Sequence, residues 1–248
     1  MAIKYGLPII LVTFLILQET TALAEVEKEV IWQRKVSLGY NKSSGNTKAS
    51  QLFMNLLANR KIEQLNEFTL EANAFYSSSN EQMDAQKWYA MARYAFSFGQ
   101  EKKWYNFYKF EASHDRFANL DYRLIPAAGV GYWFYDLADL KLLAEVGFGL
   151  EHAVYRSPAD DSDEAIVVPR IFFEKNLFGN AKILQNLYFY LTLDDLTDYR
   201  LRSETTFTNP LSDKLSLNLS LIDDYNSSPA LGAEENDLRL ISSFEYSF

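Results

Sequence analysis

The sequence contains no cysteine, only two histidines, and no long apolar run beyond its first 24 residues. The lack of cysteine excludes disulfides, thiolate metal sites and a cysteine-linked lipid anchor. The two histidines, His114 and His152, make a poor zinc site, because zinc takes three or four protein ligands. A membrane-spanning helix needs about 20 apolar residues, so we do not expect the rest of the chain to cross a membrane with helices.

Basic residues are also in the minority: 24 Lys and Arg stand against 33 Asp and Glu, giving a formal net charge of −9. A chain this acidic lacks the basic surface that nucleic acid requires. No linker or low-complexity tract interrupts the sequence, so we predict a single domain. The chain is 48% hydrophobic and 15% aromatic, yet its mean hydropathy is only −0.20. A barrel with lipid outside and water inside has this combination, because every second residue faces lipid.

The first 24 residues have the pattern of an export signal. Lys4 precedes an apolar stretch over residues 6–17, and Ala22 and Ala24 form a small-x-small cleavage pattern. We therefore predict a signal peptide over residues 1–24, cleaved after Ala24, and a mature domain over residues 25–248. A buried N-terminal helix is the alternative interpretation.

The last thirteen residues, 236–248, alternate with the period of a β-strand. One face carries Leu238, Leu240, Phe244, Tyr246 and Phe248, and the other carries Arg239, Ser243, Glu245 and Ser247, with Ile241 as an exception. An apolar strand at a chain terminus promotes aggregation unless its edge is paired. A closed barrel pairs this edge, and we expect Phe244, Tyr246 and Phe248 to serve as its assembly signal.

Twelve segments show this alternation, of which residues 165–175 are the weakest, because Pro169 lacks a ladder donor and apolar residues fall on both faces. An even number of strands brings both termini to one end of a barrel. The connectors at that end are short, whereas the opposite end has the two longest, residues 155–164 and 225–235. Aromatic residues gather near both strand ends, as in the belts of membrane barrels. We predict an all-β fold, a single antiparallel transmembrane β-barrel of about twelve strands.

The predicted inward faces carry charges of both signs. The candidate lumen-lining residues are Arg93, Lys109, Glu111, Asp121, Arg123, Glu145, Arg200, Arg202, Glu204, Arg239 and Glu245, together with Glu71 and Glu151. Twelve strands tilted about 40° at a spacing of about 4.8 Å give a backbone radius of about 12 Å. Roughly 10–12 Å of width then remains before side chains interlock. The charges either line a narrow pore or close it with ion pairs.

A hydrolase embedded in the barrel needs a nucleophile next to a histidine. Ser113 and His114 are adjacent in a predicted strand and therefore point to opposite faces. No G-x-S-x-G motif occurs. We predict that the protein is not an enzyme and that it has no catalytic residues.

Acidic residues gather in three predicted external loops: Asp160, Asp161, Asp163 and Glu164; Asp194, Asp195 and Asp198; and Glu234, Glu235 and Asp237. Divalent cations prefer such oxygen ligands, but no spacing here matches a calcium-binding loop. We interpret them as solvated loop charges and predict no metal and no cofactor.

Two segments resemble a known family: residues 40–47 (YNKSSGNT) and residues 114–132 (HDRFANLDYRLIPAAGVGY). Together they resemble the bacterial salt-induced outer-membrane proteins, a domain of unknown function, and the similar strand rhythm extends over most of the mature chain. The resemblance implies an outer-membrane barrel and brings no catalytic residues. The residue types of Ser44–Gly45–Asn46 favour a turn. Gly129 and Gly131 lack side chains and would let bulky groups approach the strand.

We therefore expect an exported envelope protein of the bacterial outer membrane with a passive narrow-channel or structural role. The family resemblance implies a link to salt or osmotic conditions. The expected partners are outer-membrane lipids and, during insertion, the barrel-assembly machinery, with no nucleic acid. The alternatives are a barrel-embedded lipid-modifying enzyme and a soluble periplasmic β-sandwich that binds ligands.

Overall fold

A computed structural model describes residues 30–43, 48–62, 66–99, 101–156, 161–230 and 232–248. The described chain is almost entirely β-strand, and its strands close into one barrel. The strands are β1 (Val30–Ser43), β2 (Ala49–Ile62), β3 (Asn66–Ser79), β4 (Gln82–Phe98), β5 (Trp104–Asp115), β6 (Leu120–Asp136), β7 (Leu140–Tyr155), β8 (Ser162–Asn176), β9 (Lys182–Thr192), β10 (Tyr199–Pro210), β11 (Leu215–Asn226) and β12 (Asn236–Ser247).

Each strand pairs antiparallel with its neighbours in sequence, and β12 returns to pair with β1. The predicted antiparallel barrel of twelve strands is therefore confirmed, and the soluble β-sandwich is wrong. The helical content of the described residues is one short 3-10 turn, Phe178–Asn180. Across these residues no helix has the length and apolar character needed to cross a membrane. The predicted signal peptide and the turn at Ser44–Gly45–Asn46 lie outside the described residues.

The weakest predicted strand, residues 165–175, lies within β8. Its inward side chains Ile166 and Val168 are buried, whereas the outward Ile171 is exposed. Pairing with β9 stops after Val167 and resumes at Arg170, so the ladder is interrupted around Pro169. Apolar residues fall on both faces because this part of the lumen is packed rather than wet.

The two ends of the barrel differ in their connectors. We call the end that holds the last residues of β12 the terminal end and the other the loop end. The connectors at the terminal end are residues 63–65, 99–103, 137–139, 177–181 and 211–214. Those at the loop end are residues 44–48, 80–81, 116–119, 156–161, 193–198 and 227–235. The longest connector thus lies at the loop end, as the sequence predicts.

The outer surface of the barrel is apolar along its length. Leu238 and Leu240 of β12 are 62% and 65% exposed, and Phe148 and Leu150 of β7 are exposed to a similar extent. Aromatic side chains are exposed near both ends, including Trp104 and Phe134 at the terminal end and Tyr76, Trp88 and Tyr122 at the loop end. This outer surface is mostly apolar, with a polar group of Gln185, Ser203 and Thr205 on β9 and β10. Such a surface would promote aggregation in water and is typical of a transmembrane barrel.

A β-bulge at the start of β6 changes which residues face inward. The register shifts between Leu120 and Tyr122, so Asp121 is the extra residue. Leu120 is consequently buried on the inner face, which corrects the uniform alternation expected for this strand. Asp121 is half-exposed at the rim and pairs with Arg156 at 3.5 Å, so it departs from its expected place in the lumen.

Two glycines of β6 make room for rings from β5. A Cβ added to Gly131 would lie 2.2 Å from the Tyr105 ring, and one on Gly129 would lie 2.8 Å from the Phe107 ring. Both distances are far shorter than van der Waals contact. Tyr105 and Phe107 can therefore lie flat against the wall only because β6 has glycine at these positions, as the sequence predicts.

Candidate functional site: the barrel lumen

The structure places ten of the eleven principal candidates in the interior of the barrel, and Asp121 at the rim. The ten are Arg93, Lys109, Glu111, Arg123, Glu145, Arg200, Arg202, Glu204, Arg239 and Glu245. All ten form ion pairs with other charged side chains. These pairs fall into two regions of the lumen that differ in how much water reaches them.

The first region, which we call the packed half, is lined by β4 to β9. At its centre the carboxylate of Glu145 contacts both Arg93 and Arg170, the latter at 3.1 Å. The Tyr105 hydroxyl donates a hydrogen bond to Glu145 Oε1 at 2.8 Å. The Glu145 side chain is only 4% exposed, so these partners replace the water that an isolated buried carboxylate would need.

A second buried group in the packed half centres on Glu111. Lys109 Nζ lies 3.1 Å from Glu111 Oε1, and the Tyr89 hydroxyl donates to the same oxygen at 2.7 Å. The Lys109 ammonium also lies over the rings of Tyr188 and Tyr190, at 5.1 and 5.8 Å from their centroids. Ring faces attract cations, so an aromatic wall and a carboxylate together hold this lysine in the interior.

Apolar side chains fill the remaining space in the packed half. One cluster contains Ala95, Tyr105, Phe107 and Leu143, with Trp133 and Phe172 against it. Another contains Ile125, Ile166, Val168 and Tyr190, with Ala127 and Tyr188 against it. These residues all come from β4 to β9 and leave little exposed surface, so this half of the lumen is densely packed.

Arginines dominate the lumen toward the loop end. Glu151 bridges Arg123, at 2.7 Å, and Arg200. Asp224 likewise bridges Arg202, at 2.8 Å, and Arg239. Each of these two carboxylates serves two arginines, which is the geometry of an extended ion-pair network rather than of separate pairs.

The second region, which we call the open half, is lined by β10 to β3 and retains contact with water. The Glu204 side chain is 32% exposed and that of Arg202 is 27% exposed, although both point into the barrel. The Thr206 and Ser220 hydroxyls hydrogen-bond to each other at 2.8 Å across β10 and β11. Small polar side chains on this wall, such as Thr208 and Ser243, are buried, and a buried apolar cluster of Phe75, Ile222 and Ile241 lies beside them. Exposure to water in the open half is therefore greatest at the charged groups Arg202 and Glu204.

A cavity of about 390 Å³, which we call the vestibule, opens from the loop end into the lumen. Its lining includes Arg123, Arg200, Arg202 and Arg239, and it reaches as deep as Glu111. Tyrosines also line it, among them Tyr89, Tyr155, Tyr190 and Tyr225. Charged and aromatic side chains thus surround a space large enough for several water molecules or one small solute.

Several residues that shape the lumen were not among the principal candidates. They are Lys87, Arg170 and Asp224, and the tyrosines Tyr89, Tyr105, Tyr188 and Tyr190. Arg170 follows Pro169 in the weakest predicted strand, so its face could not be assigned. Alternation places Tyr89, Tyr188 and Tyr190 on the inward face, but it does not show that they pack against charged groups.

The hydrogen bonds of both histidines among the described residues go to partners other than hydroxyl groups. The His114 ring stacks on Trp88 at 5.9 Å between centroids, and its Nδ1 hydrogen-bonds with the Asp121 carbonyl oxygen at 2.8 Å. His152 Nδ1 pairs with Asp163 at 2.7 Å on the surface. Throughout the described chain no three His, Asp or Glu side chains converge in a way that could hold a metal ion.

Comparison with solved structures shows the fold. The NanC porin superposes with a TM-score of 0.52 at 9% identity, over 86% of this chain and 98% of that chain. The KdgM porin gives a TM-score of 0.46 at 9% identity, over 87% and 99% of the two chains. At this identity the likeness to NanC shows a shared barrel fold of the outer-membrane type.

Sequence comparison gives a family but no activity. No curated protein matches the chain at a significant level. Residues 36–248, from the middle of β1 to the C-terminal residue of the sequence, match a single family description. The chain belongs to the family described as "Protein of unknown function, DUF481".

Proposed function

We propose that this protein is a narrow channel of the bacterial outer membrane that admits ions and small hydrophilic solutes. The observation that carries the proposal is the open half, where charged side chains deep in the barrel keep contact with water. The vestibule joins this region to the loop end. The packed half removes much of the roughly 10–12 Å of width that twelve strands would leave, so only small solutes would pass.

Planar-bilayer conductance tests this function. The probe is the mature chain, residues 25–248, refolded in detergent and shown to be folded by heat-modifiable gel mobility. We expect stable unitary current steps, and we expect their ion selectivity to shift when Arg200 and Arg202 are both changed to Gln. A folded barrel that gives no current steps would contradict the channel function.

A purely structural role is the second candidate, and the packed half favours it. Glu145, Glu111 and the apolar clusters join several strands between β4 and β9 through buried contacts. A barrel braced in this way could stabilise the envelope without conducting. The absence of current steps in the planar bilayer, from protein shown to be folded, would support this role.

The proposed location is the outer membrane, reached by export with the predicted signal peptide and cleavage after Ala24. The apolar outer surface supports a partnership with outer-membrane lipids. We further propose that Phe244, Tyr246 and Phe248 mark β12 for the barrel-assembly machinery. Their outward position leaves them accessible on the closing strand.

The link to salt that the family resemblance implies is also a proposal. The lumen holds its side chains in place largely through ion pairs, and dissolved salt screens charges that water reaches. The exposed pairs of the open half, such as Arg202 with Glu204, would loosen first. Conductance that rises more steeply with salt than the bulk solution does would support the link.

The structure offers little support for a lipid-modifying enzyme. His114 is bound to a backbone carbonyl and stacked on Trp88, and the neighbouring Ser113 points to the other face of β5. The His114→Ala variant gives the test. Loss of a lipid-hydrolysis activity in this variant would favour the enzyme, whereas an unchanged lipid-hydrolysis activity would support the channel.

A further inference from the structure

We propose that the seam between β1 and β12 is a lateral portal through which a single-chain amphiphile with an anionic head passes between the membrane and the vestibule. This inference goes beyond the proposed channel, because it concerns a route through the wall rather than along the axis.

The pairing of this seam is unusually short. β1 and β12 are in register only from Lys35 opposite Ser247 to Leu38 opposite Phe244, which is four pairs. Yet β1 remains paired with β2 as far as Ser43, and β12 remains paired with β11 as far as Asn236. Both strands are therefore fully formed toward the loop end, and only the ladder between them is missing.

The place where the pairing stops is marked by Gly39. A Cβ at this position would lie 2.3 Å from the Ser242 carbonyl oxygen, so β12 presses closely on β1 there. Beyond it, residues 40–43 and 236–242 have no ladder partner across the seam. Backbone groups without partners are costly in hydrocarbon, so this edge favours a ligand with polar atoms.

An apolar patch lies directly behind the unpaired stretch. Phe75, Ile222 and Ile241 form a buried cluster, with Phe53 and Ala85 against it. Ile241 comes from β12, whereas Phe53 and Phe75 come from β2 and β3, so the patch spans the inner side of the seam. No β1–β12 ladder pair forms at the level of Ile241, so apolar contacts rather than a backbone ladder close the wall there.

The apolar patch continues into the vestibule. Ala85 packs against the patch and also lines the vestibule. Arg239 lies over the Phe75 ring, 5.5 Å from its centroid, and also lines the vestibule. The guanidinium of Arg239 already pairs with Asp224, and its Nε atom, buried without a hydrogen-bond partner, lies 3.8 Å from the Asp237 carboxylate. An alkyl chain could therefore lie on the patch while an anionic head competes with these carboxylates for the guanidinium at its inner edge.

The outer side of the unpaired stretch faces lipid. Tyr40, Leu238 and Leu240 point outward, and each is more than 60% exposed. Through the β1–β2 and β2–β3 registers, Tyr40 aligns with Leu52 and then with Tyr76 of the loop-end aromatic residues. The seam thus opens where hydrocarbon meets the polar headgroups, which is where a single-chain amphiphile resides.

A disulfide across the seam tests the portal. The sequence has no native cysteine, so no other disulfide can compete with the engineered one. The locking variant is Lys42→Cys with Leu240→Cys, two outward positions that would face each other if the register continued. The matched control is Val36→Cys with Tyr246→Cys, which already face each other in the paired half. The probe is 11-(dansylamino)undecanoic acid, with uptake by the folded barrel in detergent followed by dansyl fluorescence.

We expect uptake by the unmodified protein and by the oxidised control, loss of uptake in the oxidised locking variant, and its return after reduction. If the locking disulfide does not form, a short bismaleimide joins the same two cysteines.

The Ala85→Phe variant is a second test, because Ala85 lies where the apolar patch meets the vestibule. The larger side chain should block this passage and abolish uptake. Equal uptake by the locked and control proteins, or no uptake by the unmodified protein, would overturn the portal. Bilayer conductance should persist in the locked protein, so failure of the portal and failure of the channel are separate results.

Discussion

At the scale of single residues, the lumen is organised by side chains that satisfy one another in the absence of water. Glu145 is the clearest case, because two arginines and a tyrosine hydroxyl surround one carboxylate. Alternation in the sequence predicts that Glu145 points inward, but it does not predict the partners. Arg93, Arg170 and Tyr105 come from three other strands, and their convergence depends on register across the whole sheet.

Removing the Glu145 charge should therefore destabilise the barrel. In Glu145→Gln the buried Arg93 and Arg170 lose their shared carboxylate, and breaking a buried ion pair from one side costs about 3–5 kcal/mol. Urea unfolding in lipid vesicles measures the change. The control is Glu101→Gln in an exposed turn, where the Lys103 ammonium lowers the pKa of the Glu101 carboxyl. This control should unfold like the unmodified protein, and equal stability of the two variants would contradict the account.

The glycines of β6 give a second prediction at this scale. In Gly131→Ala the new methyl group would lie 2.2 Å from the Tyr105 ring, so the ring must move and its hydrogen bond to Glu145 must lengthen. Overpacking of this kind costs about 1–3 kcal/mol.

Gly147→Ala provides a graded control for this prediction, because its nearest atom, Cζ of Phe107, is 3.1 Å away. The free energy of unfolding should fall more for Gly131→Ala than for Gly147→Ala. The reverse order would show that the rings of β5 do not lie where the structure puts them.

At the scale of elements, the sequence predicts the strands well and their irregularities poorly. Period-two alternation locates all twelve strands, including the lipid-facing leucines of β11 and β12. It fails at the β6 bulge, where one extra residue turns Leu120 inward and Asp121 to the rim. A bulge depends on pairing with two neighbouring strands, so the local sequence of β6 does not predict it.

The seam between β1 and β12 is the other feature that alternation cannot show. Amides that lack a ladder partner exchange faster than paired ones. We predict that the seam-facing amides of residues 40–43 and 236–242 exchange with deuterium faster than those of residues 35–38 and 244–247. Site-resolved hydrogen exchange in lipid nanodiscs measures this difference. Uniform protection along both strands would mean that the seam is closed over its full length.

At the scale of the whole molecule, the closing strand determines whether a barrel forms. The backbone N–H of Phe248 donates to the Arg34 carbonyl oxygen at 3.0 Å, which fastens the last residue of the chain to β1. We predict that deleting Phe248 lowers the fraction of protein that reaches the folded, heat-modifiable form. Leu219→Ala, an outward change in β11, is the control and should fold normally. Equal folded fractions would show that Phe248 is dispensable for closure.

The sequence predicts the barrel as a whole but not the state of its lumen. The mixed charges on the inward faces are compatible with two states of the lumen, a narrow pore or a lumen closed by ion pairs. The structure contains both, a packed half and an open half, because β4 to β9 carry most of the buried inward aromatic residues, whereas Arg202 and Glu204 on the inward face of β10 stay partly exposed. This distribution is visible in the sequence, but its consequence depends on which strands face one another across the lumen.

The central claim is a lipid-embedded barrel whose lumen is half packed and half wet, and cysteine accessibility tests it most directly. Three variants are compared in lipid vesicles with a membrane-impermeant thiol reagent: Glu204→Cys in the open half, Val168→Cys in the packed half and Phe148→Cys on the outer surface. We predict rapid labelling at position 204 only, with the other two protected until the protein is unfolded. Rapid labelling at position 148 would contradict the membrane location of the outer surface, and protection at position 204 would contradict an open half.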